Sequence, residues 1–482
     1  MRNQIKGNRK NILRRRVAQA LVLCLCALWV SAYADPSPNQ TPAARPQLPL
    51  LIFDASKTDE LPNYENNYFV PTEILTVDNK INNTPSAAVA VGSKASVHNL
   101  SDRESTTDKK HDYFVRFEDD VELLGLFSAR EYFVLGGMDD KSLIRNYIGY
   151  SMAKDIFDNA PDIQLCELMV HDDEAYKYQG VYLLVAPAPE PDGFLLQRST
   201  QPVETRLETY ADAYDDTIGE LTIPLRKTAG WDDSYNAVLG RLSWSEEVLY
   251  YETSRTFYQY QEMFDVESFV SGFLLGELTG NYFGMHNAYY DYNRNTERLS
   301  YAPIWNFEHA FDNDANNPAT SDWIYYTNAT YFHQLFKSPS FAKQIQTTYL
   351  QLRTGALDEQ RLMNLIDDAV ALVTPAIDRD WLRWNRYGHV QLQPLTEIII
   401  DEKTTREIEP FSRQRDRYQD EILRMKTQLR EHSLHFAVNV TQFNFQEREI
   451  SKEIVLSSNP IGAVVFIVFF FVVVRFVRKY GV

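Results

Sequence analysis

The chain has 482 residues, a net charge of −18, 44% hydrophobic residues and 24% charged residues. This composition is typical of a globular protein with room for more than one domain. The excess of acidic residues, with no basic stripe, excludes nucleic-acid binding as an expected function. Cys166 is the one cysteine beyond the first 34 residues, so no intrachain disulfide is expected downstream of them.

The N-terminal segment has the pattern of an export signal. Residues 1–16 carry seven bases and no acid, residues 17–30 are apolar, and a small-residue pattern ends at Ala34. This pattern predicts a cleaved signal peptide over residues 1–34, and an uncleaved membrane anchor is the alternative.

Strand patterns dominate the first half of the remaining chain. Residues 35–92 are predicted to be a proline-rich linker followed by a short strand-rich segment. Further strands are predicted where apolar residues alternate or run together, at 113–117, 132–135, 163–170, 180–185 and 193–196.

Helical patterns dominate the second half. Asp139 or Asp140 is expected to cap a first helix, and Asp265 a second helix that ends at Gly280. Residues 200–250 are acidic and weakly patterned, which predicts an insertion or a loop-rich subdomain. A hairpin is expected at 286–292 and 299–305, and helices at 339–382 and 410–434. Strands followed by helices predict an α+β domain over residues 93–440.

The C-terminal segment has the pattern of a membrane anchor. Residues 461–477 are apolar apart from Arg475, which is near the lower length limit for a membrane helix. The basic residues that follow predict a cytoplasmic tail over residues 478–482, after a juxtamembrane stalk over residues 441–460. Both ends thus predict an exported, membrane-anchored protein whose bulk lies in the periplasm or the extracellular space.

Seven stretches of the chain carry a resemblance to a known family when they are taken in order. They read KKHDYFVRF (109–117), YFVLGGMDDKSLIRN (132–146), GVYLL (180–184), DGFLL (192–196), DVESFVSGFLLGELTGN (265–281), YAPIWNFEHAFD (301–312) and LFKSPSFAKQI (335–345). Together they resemble the spore-coat CotH kinase family over about residues 95–435. The resemblance implies an atypical protein-kinase-like domain with two lobes.

At the catalytic centre that this resemblance implies, several residues depart from the family pattern. Phe283 falls where a catalytic aspartate is expected, whereas Asn287 matches a metal-binding asparagine. Asn306 and Glu308 occupy the two aspartate positions of the family's W-D-x-D segment. Because Asn306 is uncharged, it weakens a magnesium site that depends on carboxylates.

The residues that the resemblance assigns to phosphate binding are Lys110, Arg116 and Arg145. Arg116 falls near the expected strand lysine, and it keeps the charge but not the shape of that residue. Arg145 is either a phosphate contact or an ion-pair partner that holds its helix to the core. Residues 97–107 contain no glycine, although a phosphate-cradling turn requires one.

The second interpretation is an active centre built from residues other than those of the family pattern. Glu308, Asp312 and Asp314 form an oxygen-rich cluster suited to magnesium or calcium, and His286 is a candidate base. The simpler interpretation of the cluster is a solvated acidic loop after a strand.

Three functions therefore compete. The first is a membrane-anchored pseudokinase that binds a partner or a nucleotide in the cell envelope. The second is an active transferase that uses ATP with magnesium or manganese to move a phosphoryl or AMP group, and the third is a structural or adhesive envelope protein. A cofactor is expected under the second function and is not required under the others.

Overall fold

The computed structural model describes most of the chain between residues 48 and 442. The described residues are 48–55, 70–77, 93–99, 110–171, 176–188, 193–199, 206–207, 220–222, 231–250, 257–282, 284, 288–302, 306–313, 323, 330–384, 390–391, 398–401, 404–406, 412–413 and 418–442. The predicted signal peptide, most of the stalk, the predicted membrane helix and the tail lie outside them. Among the helices of the described ranges, none has the length and apolarity needed to cross a bilayer.

Seven strands close into a barrel in the first part of the fold. They are β1 Leu50–Asp54, β2 Val70–Val77, β3 Ser93–Asn99, β4 Tyr113–Val121, β5 Ala129–Leu135, β6 Asp162–His171 and β7 Tyr176–Ala186. Their order around the barrel is β1-β2-β3-β4-β5-β7-β6. Neighbouring strands are antiparallel, except that β1 and β6 pair in parallel and so close the barrel.

The alternation of apolar side chains along these strands produces two cores. Tyr113 and Val115 on β4, and Tyr182 on β7, belong to the core inside the barrel. Their neighbours Phe114 and Val181 belong instead to the larger core that the barrel shares with the helices. This is the result expected when successive strand residues point to opposite faces and both faces are covered.

The second part of the fold combines a smaller sheet with helices. Its strands are β8 Gly193–Ser199, β9 Arg206–Leu207, β10 Glu220–Thr222, β11 Tyr289–Asn293 and β12 Arg298–Ala302, in the order β12-β11-β8-β10-β9. Two further two-stranded pairs join β13 Val390–Gln391 with β16 Ser412–Arg413, and β14 Ile398–Asp401 with β15 Thr404–Arg406.

The α-helices of the described ranges pack on this sheet through β12 and on the barrel through β6 and β7. They are α1 Arg145–Ile156, α2 Trp231–Tyr250, α3 Tyr260–Met263, α4 Val266–Thr279, α5 Thr330–Leu335, α6 Pro339–Leu352, α7 Glu359–Val373, α8 Ile377–Arg383 and α9 Tyr418–Asn439. Mixed strands and helices confirm the α+β class.

Helix α4 lies at the centre of the second part and confirms the predicted helix. It is buried along nearly its whole length and ends at Gly280, whose φ of 61° is the left-handed conformation that glycine favours. Gly272 has no side chain, which lets the ring of Tyr301 on β12 lie directly against the helix. Asp265 precedes the helix as predicted, but its carboxylate accepts a hydrogen bond from Ser300 Oγ (3.4 Å) rather than from a helix amide.

Three expectations about these elements require correction. Residues 231–250 are a helix rather than a loop-rich region, because Val238, Leu242 and Leu249 are buried on one face. Helix α1 begins at Arg145, so Asp140 lies five residues before the helix and is not its N-cap residue. The carboxylate of Asp140 nevertheless accepts a hydrogen bond from the Arg145 amide. The expected boundary at residue 92 falls inside the barrel, because β2 pairs with β3 across it.

Candidate functional site

Four segments of the chain meet at one edge of the barrel and form the candidate site. They are the approach to β4 at Asp112, the link from β5 to α1 at residues 136–144, the C-terminal end of α4 at Asn281, and residues 306–313. Hydrogen bonds join each of these segments to at least one other, so the site is a single connected cluster. The C-terminal end of α4 and the W-D-x-D segment meet at Asn281, whose Nδ2 donates to the carbonyl of Asn306 (3.3 Å).

Asp112 supplies the central carboxylate of this cluster. Its Oδ1 accepts a hydrogen bond from the Gly136 amide (2.5 Å), and its Oδ2 accepts one from Asn306 Nδ2 (3.2 Å). The surrounding protein and then the negative charge of Glu308 raise the pKa of Asp112 from 3.8 to about 7, against the opposing effect of the Gly136 and Gly137 amides and Lys110. Asp112 is therefore a candidate proton donor or acceptor near neutral pH.

Asn306 links Asp112 to the second carboxylate of the cluster. Its Nδ2 also donates to Glu308 Oε1 (3.0 Å), while its Oδ1 accepts the Glu308 amide (2.9 Å). The two predicted metal-binding residues thus bind each other, and Asn306 presents N–H groups rather than a lone pair to the carboxylates. A magnesium site built as the resemblance implies does not fit this arrangement.

The 306–308 segment is held firmly in place from the side of α1. The Phe307 amide donates to Asn146 Oδ1 (2.6 Å), and the Phe307 ring lies where any side chain on Gly149 would overlap it. Tyr150 contacts the same ring edge-on, with the ring centroids 5.5 Å apart. Buried packing therefore fixes the backbone that carries Asn306 and Glu308.

Beside this cluster lies a group of side chains whose atoms suit a divalent cation. One ligand atom each from Asp139, Glu308 and His309 lie within 4.8 Å of one another. The side chains of Glu308 and His309 are 14% and 18% exposed, and His309 Nε2 lies 3.5 Å from Glu308 Oε1. Two carboxylates and an imidazole favour manganese or zinc over magnesium, which prefers oxygen ligands alone.

Lys110 lies next to the site and forms a buried ion pair with Asp380. Its Nζ contacts Asp380 Oδ2 at 2.8 Å and the Val181 carbonyl at 2.5 Å, and both side chains of the pair are 0% exposed. The ring of Tyr182 lies beneath the ammonium group, 4.8 Å from it. Asp380 also accepts the Val181 amide (2.8 Å), so the pair connects α8 to the barrel strand β7.

Arg145 joins three segments below the site. Its guanidinium donates to Asp140 Oδ1 (2.6 Å), Glu421 Oε2 (3.1 Å) and the Ala310 carbonyl (3.1 Å), and it is fully buried. Burial alone lowers the pKa of Arg145, but the two carboxylates outweigh burial and leave the pKa above its ordinary value. These contacts favour the ion-pair interpretation of Arg145.

Arg116 lies away from the cluster. It is four residues beyond Asp112 on β4, which corresponds to about 13 Å along a strand. Its Nε donates to Glu131 Oε1 on the neighbouring strand (3.2 Å), and its side chain is 35% exposed. The structure therefore does not bring Arg116 together with Asn306 and Glu308.

The remaining predicted site residues are Phe283, His286 and Asn287, and they lie outside the described residues. Asp112, Asp139, His309 and Asp380 are members of the site or its support that the sequence analysis did not select. Asp112, Asp139 and His309 lie inside the motif stretches, so the motifs could have identified them. Asp380 lies 270 residues from its partner Lys110, so no local sequence pattern indicates their contact.

The comparison with family models agrees with these motifs. The model described as CotH kinase protein matches residues 101–432, which is most of the chain. The chain belongs to the CotH kinase family. None of the curated proteins matches it. The CotH match begins after β3, so the first three barrel strands precede the matched region.

Proposed function

We propose that this protein is an exported, membrane-anchored CotH-family pseudokinase that binds a protein partner in the cell envelope and does not transfer phosphate. The observation that carries the proposal is the uncharged Asn306, whose Nδ2 donates to Asp112 and Glu308 where the resemblance implies a metal-binding aspartate. The kinase-like two-lobed arrangement implied by the family is part of the same proposal.

Phosphoryl transfer needs a strand lysine that reaches the nucleotide phosphates, and the resemblance places Arg116 near that position. Arg116 instead donates to Glu131 on the neighbouring strand, about 13 Å along the strand from Asp112. Together with the uncharged Asn306, this arrangement supports a centre without phosphotransfer.

The location in the envelope is supported by the two terminal patterns of the sequence. A basic and then apolar N-terminus and an apolar C-terminal segment flanked by bases are typical of an exported chain with one C-terminal span. ATP is scarce outside the cytoplasm, which favours a function that does not consume it.

Nucleotide binding tests the proposal directly. We expect the melting temperature of the purified protein to change by less than about 1 °C when ATP is added with magnesium or manganese, because no ligand-dependent stabilisation occurs without binding. The double variant Phe283→Asp with Asn306→Asp is expected to remain inactive in a radiolabelled phosphotransfer assay, because Arg116 remains paired with Glu131 away from the cluster. A metal-dependent shift with ATP that Glu308→Ala and Asn287→Ala abolish contradicts the proposal.

A metal-dependent ATP-using transferase is the second candidate, and the Asp139, Glu308 and His309 group is the observation that favours it. Asp112, with its raised pKa, adds a candidate proton acceptor beside that group. Under this function, manganese with ATP is expected to support phosphoryl or AMP transfer that His309→Ala removes. Mass spectrometry of the protein after incubation separates the two products.

A further inference from the structure

The side-chain amide of Asn306 lies between the two carboxylates of the site. Its Nδ2 is 3.2 Å from Asp112 Oδ2 and 3.0 Å from Glu308 Oε1. The orientation of the amide is fixed, because Oδ1 accepts the backbone amide of Glu308 at 2.9 Å. A flipped side chain places its oxygen against two carboxylates and its N–H groups against another N–H, which is unfavourable at every contact.

Two carboxylates that converge in this way require positive charge between them or a shared proton. A divalent cation is the usual solution, with oxygen ligands arranged around it. The side-chain amide of Asn306 instead donates one hydrogen bond to each carboxylate. The positive end of the amide dipole therefore lies between the carboxylates, at the position that a bound cation would occupy.

We propose that the Asn306 amide takes the place of the cation in this centre, so that the Asp112–Asn306–Glu308 cluster assembles without metal. The exchange Asn306→Asp then turns the cluster into a divalent-cation site formed by three carboxylates. This inference rests on the proposed function, a centre that does not transfer phosphate. It explains how the side chains of that centre keep their arrangement without a bound metal ion.

Cation-dependent stability tests the inference without any activity measurement. Thermal unfolding of the full chain is recorded in EDTA and in millimolar Ca²⁺, Mn²⁺ or Mg²⁺. The wild-type melting temperature is expected to agree within about 1 °C in EDTA, Ca²⁺ and Mg²⁺, whereas a wild-type response to Mn²⁺ reports the Asp139, Glu308 and His309 group. Asn306→Asp is expected to lose about 5 °C in EDTA through repulsion among three carboxylates, and to regain most of that loss with Ca²⁺ or Mn²⁺.

Two control variants separate the cation effect from general damage. The reciprocal exchange Asp112→Asn with Asn306→Asp keeps two carboxylates and one amide, and we expect a cation response less than half that of Asn306→Asp. Asn306→Leu fills the same space without a donor or a ligand, so it is expected to be destabilised with no recovery in any cation.

If Asn306→Asp does not fold, the same melting experiment is done with Asn306→Ala, which removes the amide and leaves space for a cation between the two carboxylates. Recovery of Asn306→Ala with Ca²⁺ or Mn²⁺ supports the inference. It is overturned if neither variant responds to cations, or if the wild-type protein is itself stabilised by Ca²⁺ or Mg²⁺ alone. These outcomes are independent of ATP binding by the wild-type protein, which is the result that contradicts the proposed function.

Discussion

At the scale of single residues, Asp112 predicts how stability depends on pH. Its pKa is raised from 3.8 to about 7, so the folded state binds this proton more tightly than the unfolded state does. Its contribution therefore favours folding below pH 4 and is lost as the pH rises to about 7. We expect Asp112→Asn to flatten the fall in unfolding free energy over that range, measured by urea unfolding at several pH values.

The exposed Asp119 on β4, the strand that follows Asp112, provides the matched control. Because Asp119→Asn also removes one carboxylate, but from the exposed surface, comparison of the two variants isolates the effect of the site on Asp112. Parallel pH profiles for wild type and Asp112→Asn contradict the assignment of this effect to Asp112.

The Lys110–Asp380 pair makes a second prediction at this scale. Asp380→Ala leaves a buried ammonium group and the Val181 amide without their carboxylate, so we expect a loss of about 3–5 kcal/mol in unfolding free energy. Asp378→Ala in the same helix removes an exposed carboxylate and is expected to cost less than about 1 kcal/mol. Equal losses in the two variants, measured by denaturant unfolding, rule out a structural role for the pair.

At the scale of elements, the sequence predicts those with strong local signals. Helix α4 has a dense apolar face and a terminal glycine, and the β11–β12 hairpin has alternating aromatics, so both were found. Helix α2 was missed because its regularly spaced apolar residues follow a long acidic stretch. In the site, Asn306 and Glu308 were predicted from their motif, whereas Asp112 was not, because its role depends on contacts made almost 200 residues away.

The C-terminal helix α9 is the element that ties the site to the end of the described chain. Glu421 binds Arg145, and Arg424 donates to the Asp312 carbonyl and lies near its carboxylate. Arg145 in turn donates to Ala310, so α9 supports residues 306–313 both directly and through α1. A substitution in α9 that removes these contacts is therefore expected to destabilise the candidate site locally.

Hydrogen exchange tests this connection. In Glu421→Ala the buried guanidinium of Arg145 loses one carboxylate, and we expect amides 307–311 to exchange more than about tenfold faster than in the wild-type protein. Glu431→Ala on the exposed face of the same helix is the control and is expected to leave those amides unchanged. Unaltered exchange at 307–311 in Glu421→Ala shows that α9 does not hold the site.

At the scale of the whole molecule, the barrel depends on strands that precede the CotH match. β1 and β2 pair with each other, β2 pairs with β3, and β1 closes the ring by its parallel pairing with β6. These strands also bring Leu51, Phe53, Ile74 and Val97 into the barrel core. Removing them exposes the apolar inner face and leaves β4 and β6 with open edges, which are sites of aggregation.

We therefore expect a chain that begins at residue 100 to lose cooperative unfolding and to aggregate, although it retains the whole family match. A chain that begins at residue 45 keeps all seven strands and is expected to melt in one cooperative transition with the wild-type midpoint. Calorimetry and size-exclusion chromatography distinguish the two results. A monomeric chain from residue 100 with an unchanged melting temperature contradicts the role of β1–β3, because it shows that the matched region folds without a closed barrel.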